Sequence, residues 1–251
     1  MMAFIQAVDL QWGQWLLMSL LIMLASCLQG VGGIGFAMVS APIGALLYPQ
    51  LMPGPLIVLA GVLALLTVLR EREHVVWQVL PSALVGRGLG TVIAGLFFAG
   101  LSAALLGVVF AVMILLAVLL TATRWSVRSN RTSWAIAGTV SGIMGTLTSA
   151  GAPPLVMVAQ GMKPPQMRAT MSMVFLVGTV MALAALMALG RFTMSQLVLS
   201  LLLMPAMWLG FTLSTPLVSR CSAVVMRRLL LGLTSLSALI LLAQSAIQLH
   251  N

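Results

Sequence analysis

Long apolar runs follow one another along almost the whole chain, with hardly a polar stretch between them. A helix rises 1.5 Å per residue, so about 20 mostly apolar residues cross the hydrocarbon of a bilayer. The runs are continuous Leu, Val, Ala and Met and do not alternate with polar residues, which excludes a membrane β-barrel. Helices are the other way to satisfy every backbone group in lipid. Composition agrees: 6% of the residues are charged and 61% hydrophobic, with a mean hydropathy of +1.17. A soluble domain carries about a quarter charged residues, so this chain has no wettable surface. The expected fold class is an all-α integral membrane protein, a polytopic helical bundle.

Ten hydrophobic elements are expected, several of them short: 12–29, 34–48, 55–70, 75–98, 101–121, 133–149, 152–162, 167–189, 194–218 and 223–248. The one polar linker of any size, 124–131, divides the chain. Residues 1–121 form an expected first membrane repeat, 122–132 a cytoplasmic linker and 133–251 a second, inverted membrane repeat. With the linker in the cytoplasm, ten of the twelve Lys and Arg residues fall inside. Only Arg191 falls outside, and Arg87 lies within a span. The positive-inside rule selects this orientation, with both termini periplasmic. The N-terminal stretch has no Lys or Arg before its apolar run and no small-residue cleavage site, so it reads as a first span. Trp12, Trp15, Trp77, Trp125 and Trp134 fall near expected helix ends, where indole prefers the interface.

Five elements per half is an odd number, so the second half enters from the opposite side. A trace of repetition fits: Pro81-Ser82-Ala83-Leu84-Val85-Gly86 aligns with Pro205-Ala206-Met207-Trp208-Leu209-Gly210, and the same offset carries Thr91 onto Thr215. The alternative is chance similarity between Leu-rich runs.

Each half opens with a helix, a glycine-rich break and a short helix. The first break is Gly30-Val31-Gly32-Gly33-Ile34-Gly35-Phe36. The second runs from Ser141 to Pro154 and contains Thr148, Ser149, Gly151 and Pro153. Glycine ends helices through positive φ, and proline starts them because its missing N–H is not needed there. Broken helices at matching positions of two halves mark a transporter's substrate site. Helix N-termini present unpaired N–H groups that suit an anion. The alternative is that the glycines serve only close packing, and this is the reading taken for the pairs Gly138/Gly142 and Gly86/Gly90.

Arg87 is the most informative single residue. It falls near the bilayer midplane, where an arginine costs at least about 2.5 kcal/mol and marks function. It is read as a cationic contact for an anionic substrate, against the alternative of an arginine that snorkels or bonds to backbone carbonyls. Arg168, after Pro164-Pro165, is read as an anion contact or gate together with Lys163, or as a plain cytoplasmic anchor. Gly32, Gly33, Gly35, Arg87, Thr148, Ser149, Gly151, Pro153 and Arg168 are therefore the candidate substrate-binding residues.

The acids Asp9, Glu71 and Glu73 all lie near expected helix ends, so no intramembrane carboxylate is placed to relay protons. No Ser-His-Asp set, metal cluster or phosphate loop is visible, so neither enzyme activity nor a cofactor is expected. The +9 net charge is topological and implies no nucleic-acid partner. Cys27 and Cys221 read as apolar packing, and the expected partners are a small anion and the lipid bilayer, with the oligomeric state open. Besides a secondary transporter, two readings stay open: a passive anion channel, and a non-transporting assembly or thiol-electron subunit.

The stretch from Leu28 through Gly35-Phe36 to Pro42 resembles the TauE/SafE family of sulfite and organosulfonate exporters. The likeness recurs from Ser141 through Gly151-Ala152-Pro153-Pro154 and in Met167-Arg168-Ala169-Thr170. The resemblance implies a permease of the bacterial inner membrane that exports small, often sulfur-containing anions. It carries the glycine–proline breaks and Arg168 over as site elements, whereas Arg87 rests on the residue reading alone. Thr148-Ser149-Ala150 departs from the family's glycine-rich pattern, and two readings of its hydroxyls stay open: bonds to an oxyanion, or the mark of a different substrate.

Overall fold

The computed structural model describes residues 12–100, 103–122, 127–217, 232, 234–240 and 242–243. The helices are α1 (Trp12–Gly32), α2 (Phe36–Leu47), α3 (Gly54–Glu71), α4 (Leu80–Gly100), α5 (Ala103–Ala122), α6 (Arg131–Thr148), α7 (Ala152–Ala159), α8 (Pro164–Ala188) and α9 (Met194–Leu217). No strand occurs among the described residues. Each of the first nine apolar elements is a helix, and the described part of 223–248 is helical too. Asp9, Arg124, Trp125, Arg220, Cys221, Arg227 and Arg228 lie outside the described residues.

Among the described residues, five helical stretches are long and apolar enough to cross a membrane: Trp12–Val31, Gly54–His74, Trp77–Phe97, Pro164–Ala188 and Met194–Leu217. At 12 and 8 residues, α2 and α7 are too short to cross alone. Outward faces are apolar: Leu16, Leu17, Leu20 and Leu24 on α1, and Val85, Leu89, Val92 and Leu96 on α4, are all exposed. Such bands are untenable in water and natural against lipid.

Three helix pairs dominate the packing: α4 with α6, α1 with α9, and α3 with α8. Glycine sets the first pair. A methyl on Gly86 or Gly90 would overlap the carbonyl oxygen of Ala135 or Thr139, and one on Gly138 would overlap that of Ala83. Backbone therefore meets backbone, as small-residue spacing permits in membranes. In the second pair, Gly210 stands against Met23 O and Gly30 against Ser214.

Two expectations are corrected. The segment before Arg87 is not helical from residue 75: Trp77–Val79 is a 3-10 turn and α4 begins at Leu80. Arg87 remains midway along the Trp77–Phe97 span. Trp134 lies in the first turn of α6 as expected, but its ring is fully buried in an apolar cluster with Leu155 and Ala169 rather than exposed, and its Nε1–H donates 2.9 Å to the exposed Ser129 Oγ. Trp12 and Trp77 are exposed.

Candidate functional site

The first break is built by two glycines and one glutamine. Gly33 N–H closes α1 on Gln29 O at 2.7 Å, and Gly33 turns away at φ +73°. Gly35, at φ +133°, completes a path that only glycine follows without strain. Phe36 N–H, at the start of α2, donates to Gln29 Oε1 at 3.1 Å. Val39 N–H bonds back to Gly35 O, so the N–H groups of Ala37 and Met38 precede the helical ladder.

The second break is built differently. Ser149 adopts a left-handed conformation at φ 62° while its N–H caps α6 on Gly145 O at 2.9 Å. Thr148 Oγ1 donates to Met144 O at 2.7 Å and accepts Ala150 N–H at 3.2 Å, so it stabilises the turn itself. Helix α7 then starts at Ala152, followed by Pro153 and Pro154, which have no N–H to lose.

Both breaks open on one cavity of about 50 Å³. Gln29, Gly35 and the first turn of α2 line it on one side, and Ser149 to Ala152 line it on the other. Arg87 enters from α4, and Phe175 and Thr179 come from α8. One water needs about 10–15 Å³ of such space, so the cavity holds a few waters or one small ion.

Arg87 is 5% exposed. Its Nη1 donates to Ser141 Oγ at 2.6 Å and to Ser141 O at 3.3 Å. The same hydroxyl donates to Gly151 O at 2.6 Å, so Ser141 ties the arginine to the second break. The guanidinium carbon lies 5.4 Å from the Phe175 ring centre. Gly145, Gly151 and Gly178 leave the space it fills. Arg87 Nε is buried and has no hydrogen-bond partner. Among the described residues the ion pairs belong to Arg70 and Arg168, both with Glu71, so Arg87 has no carboxylate partner there. A guanidinium stays protonated in proteins. The cavity thus holds a buried positive charge beside the start of α2, where the Ala37 and Met38 N–H groups are unbonded within the helix, and the start of α7, where Ala152 alone of the first three residues carries an N–H.

Of the candidate residues, Gly35, Arg87, Ser149 and Gly151 line the cavity. Gly32 ends α1, Thr148 lies within the second break, and Pro153 is buried in the first turn of α7. Arg168 stands apart from the cavity. Its Nε lies 3.0 and 3.1 Å from the two oxygens of Glu71, and its Nη2 lies 2.9 Å from Oε1. Gly33 faces the Arg168 side chain, so closely that a methyl there would sit 2.5 Å from Cγ. Arg70 completes this cluster, donating to Glu71 at 3.2 Å and to Gly30 O at 3.3 Å. Lys163 is exposed at the start of α8. Gln29, Ser141 and Thr179 are site residues that the sequence reading missed. Nothing in residue type marks them, although Gln29 and Ser141 lie inside the two motif stretches. No group of three His, Cys, Asp or Glu able to hold a metal occurs among the described residues.

The sequence matches the family model described as sulfite exporter TauE/SafE over residues 18–241. Comparison with curated proteins and with solved structures gave no match.

Proposed function

The chain belongs to the sulfite exporter TauE/SafE family, whose members are membrane transporters and not enzymes, and on that footing we propose that it exports a sulfite or organosulfonate anion through the Arg87 cavity. One observation carries the site: a buried guanidinium with an unpartnered Nε and no carboxylate partner among the described residues opens on a cavity between two broken helices. An uncompensated cation at membrane depth costs at least about 2.5 kcal/mol, and a bound anion offsets that cost. The site draws on Arg87, the Ala37 and Met38 N–H groups at the start of α2 and the Ala152 N–H at the start of α7, with Ser149 on the cavity wall donating its hydroxyl to Pro53 O at 3.4 Å.

The movement is alternating access of two inverted halves, 1–121 and 133–251, joined by a cytoplasmic linker in the bacterial inner membrane with both termini periplasmic. Packing supports the inversion. Exchange of halves turns the α4–α6 pair into the α9–α1 pair and leaves α3–α8 as itself. Residue spacing agrees: Gly86 meets Ala135 as Gly210 meets Met23, and Gly90 meets Gly142 as Ser214 meets Gly30. The chain distance is the same from Gly86 to Gly210 as from Gly90 to Ser214. It is likewise the same from Met23 to Ala135 as from Gly30 to Gly142. The Glu71–Arg168 pair joins α3 of one half to α8 of the other, as a closed cytoplasmic side requires.

Proteoliposomes loaded with sulfite test the reading. The wild type shows saturable flux and exchange of labelled for unlabelled sulfite, and Arg87→Ala loses both. Unchanged flux in Arg87→Ala removes the arginine from the site. Flux without exchange or saturation identifies a passive channel.

A further inference from the structure

The first N–H of α2 is capped by a side chain of the preceding helix. Gln29 lies on α1, and its Oε1 accepts Phe36 N–H at 3.1 Å. An amide oxygen and nitrogen are hard to tell apart by shape, but an N–H donor can bond only to the oxygen. The orientation of the carboxamide is therefore fixed by chemistry: oxygen toward Phe36, nitrogen toward the remaining side. Gln29 is half-buried and lines the cavity, and its Nε2 is not a fully buried atom without a partner.

We propose that Gln29 reads the substrate, holding α2 with its oxygen while its two N–H donors bind the oxyanion opposite Arg87. The inference rests on the cavity being the anion site and adds what that site selects. Arg87 supplies donors from α4, and Gln29 supplies neutral donors from the other break. The Ser149 hydroxyl proton is directed at Pro53 O, 3.4 Å away. Arg87 and Gln29 present only donors to the ligand, and such donors take oxygens that carry no proton. A site built to pair such groups rejects a ligand that cannot pair with them, because its own buried donors are then left unsatisfied. The preferred ligand class is a small oxyanion that presents at least two deprotonated oxygens, as sulfite and a sulfonate head do.

Two substitutions separate substrate reading from helix capping. Gln29→Glu keeps an oxygen for Phe36 N–H and replaces both donors with an acceptor. Gln29→Met removes donors and cap without adding charge. Sulfite is titrated calorimetrically into the purified full-length protein, with Arg87→Met alongside. Both Gln29 variants are expected to bind sulfite at least tenfold more weakly than the wild type, with the unfolding temperature of Gln29→Glu unchanged. Wild-type affinity in either Gln29 variant, with affinity lost in Arg87→Met, leaves the anion site standing and overturns the reading of Gln29. Wild-type affinity in all three overturns the anion site and this inference together.

Discussion

Gly178 on α8 lies against the Arg87 side chain, and Gly178→Ala displaces that side chain without touching its charge. The added methyl would fall on Nε, 2.5 Å from Cδ and 2.6 Å from Cζ. Ordinary carbon contacts lie at about 3.5–4.0 Å, so the guanidinium must retreat by roughly 1 Å or more. The 2.6 Å bond from Nη1 to Ser141 does not survive such a shift. A hydrogen bond from a charged group contributes about 1.5–3 kcal/mol, so sulfite affinity should fall about 10- to 150-fold. The fold itself should suffer little, because alanine improves helix propensity by up to about 1 kcal/mol over glycine. That gain partly offsets the overpacking. Calorimetric titration with sulfite reads the affinity, and thermal unfolding reads the fold. Gly95→Ala is the control: its methyl would lie 3.6 Å from Leu189 Cδ1, an ordinary contact. Wild-type sulfite affinity in a folded Gly178→Ala protein would refute the placement of the ligand at Arg87.

Gly90→Ala meets backbone that cannot yield, with Ile143 N 2.9 Å from the new methyl. Overpacking of this kind costs about 1–3 kcal/mol, and the unfolding temperature should fall accordingly. Arg168→Glu breaks the pair with Glu71 and leaves two carboxylates together, whereas Glu71→Arg with Arg168→Glu rebuilds it with the signs exchanged. With about 1 kcal/mol in such a pair, a thiol reagent applied from the cytoplasmic side should label a cysteine at Ala182 roughly fivefold faster in Arg168→Glu. The double exchange should return the rate to its starting value. Both proteins carry Cys27→Ser and Cys221→Ser, which should leave sulfite flux intact; loss of flux in that background would favour a thiol mechanism.

The helices were legible because apolar length is a one-dimensional property of the chain. Both breaks were legible for the same reason: Gly33, Gly35, Ser149-Ala150-Gly151 and Pro153-Pro154 act on the backbone where they stand. Arg87 stood out because a charge within an apolar run has few bland explanations. What it touches was not legible. Ser141 is ordinary in sequence, and its bridge from Arg87 to Gly151 joins three elements that only folding brings together. Gln29 looks like a polar residue near a helix end, and its role depends on Phe36 returning to it across the break. Arg168 carries the same charge as Arg87 and follows a proline pair. Its pairing with Glu71, far away in the chain, sets it apart from the cavity. Trp134 lies near a helix end as an interfacial indole does, and the side chains that cover its ring, Leu155 and Ala169 among them, come from helices far along the chain.

Binding of the substrate anion at Arg87, between the two breaks, can be imaged directly. Selenite is a close analogue of sulfite with a heavier central atom, and anomalous scattering from crystals grown with it locates that atom directly. A peak is expected in the cavity between Gly35 and Gly151, its oxygens at hydrogen-bond distance, about 3 Å, from the Arg87 guanidinium. A peak at the Arg70–Glu71–Arg168 cluster, with the cavity empty, contradicts binding at Arg87.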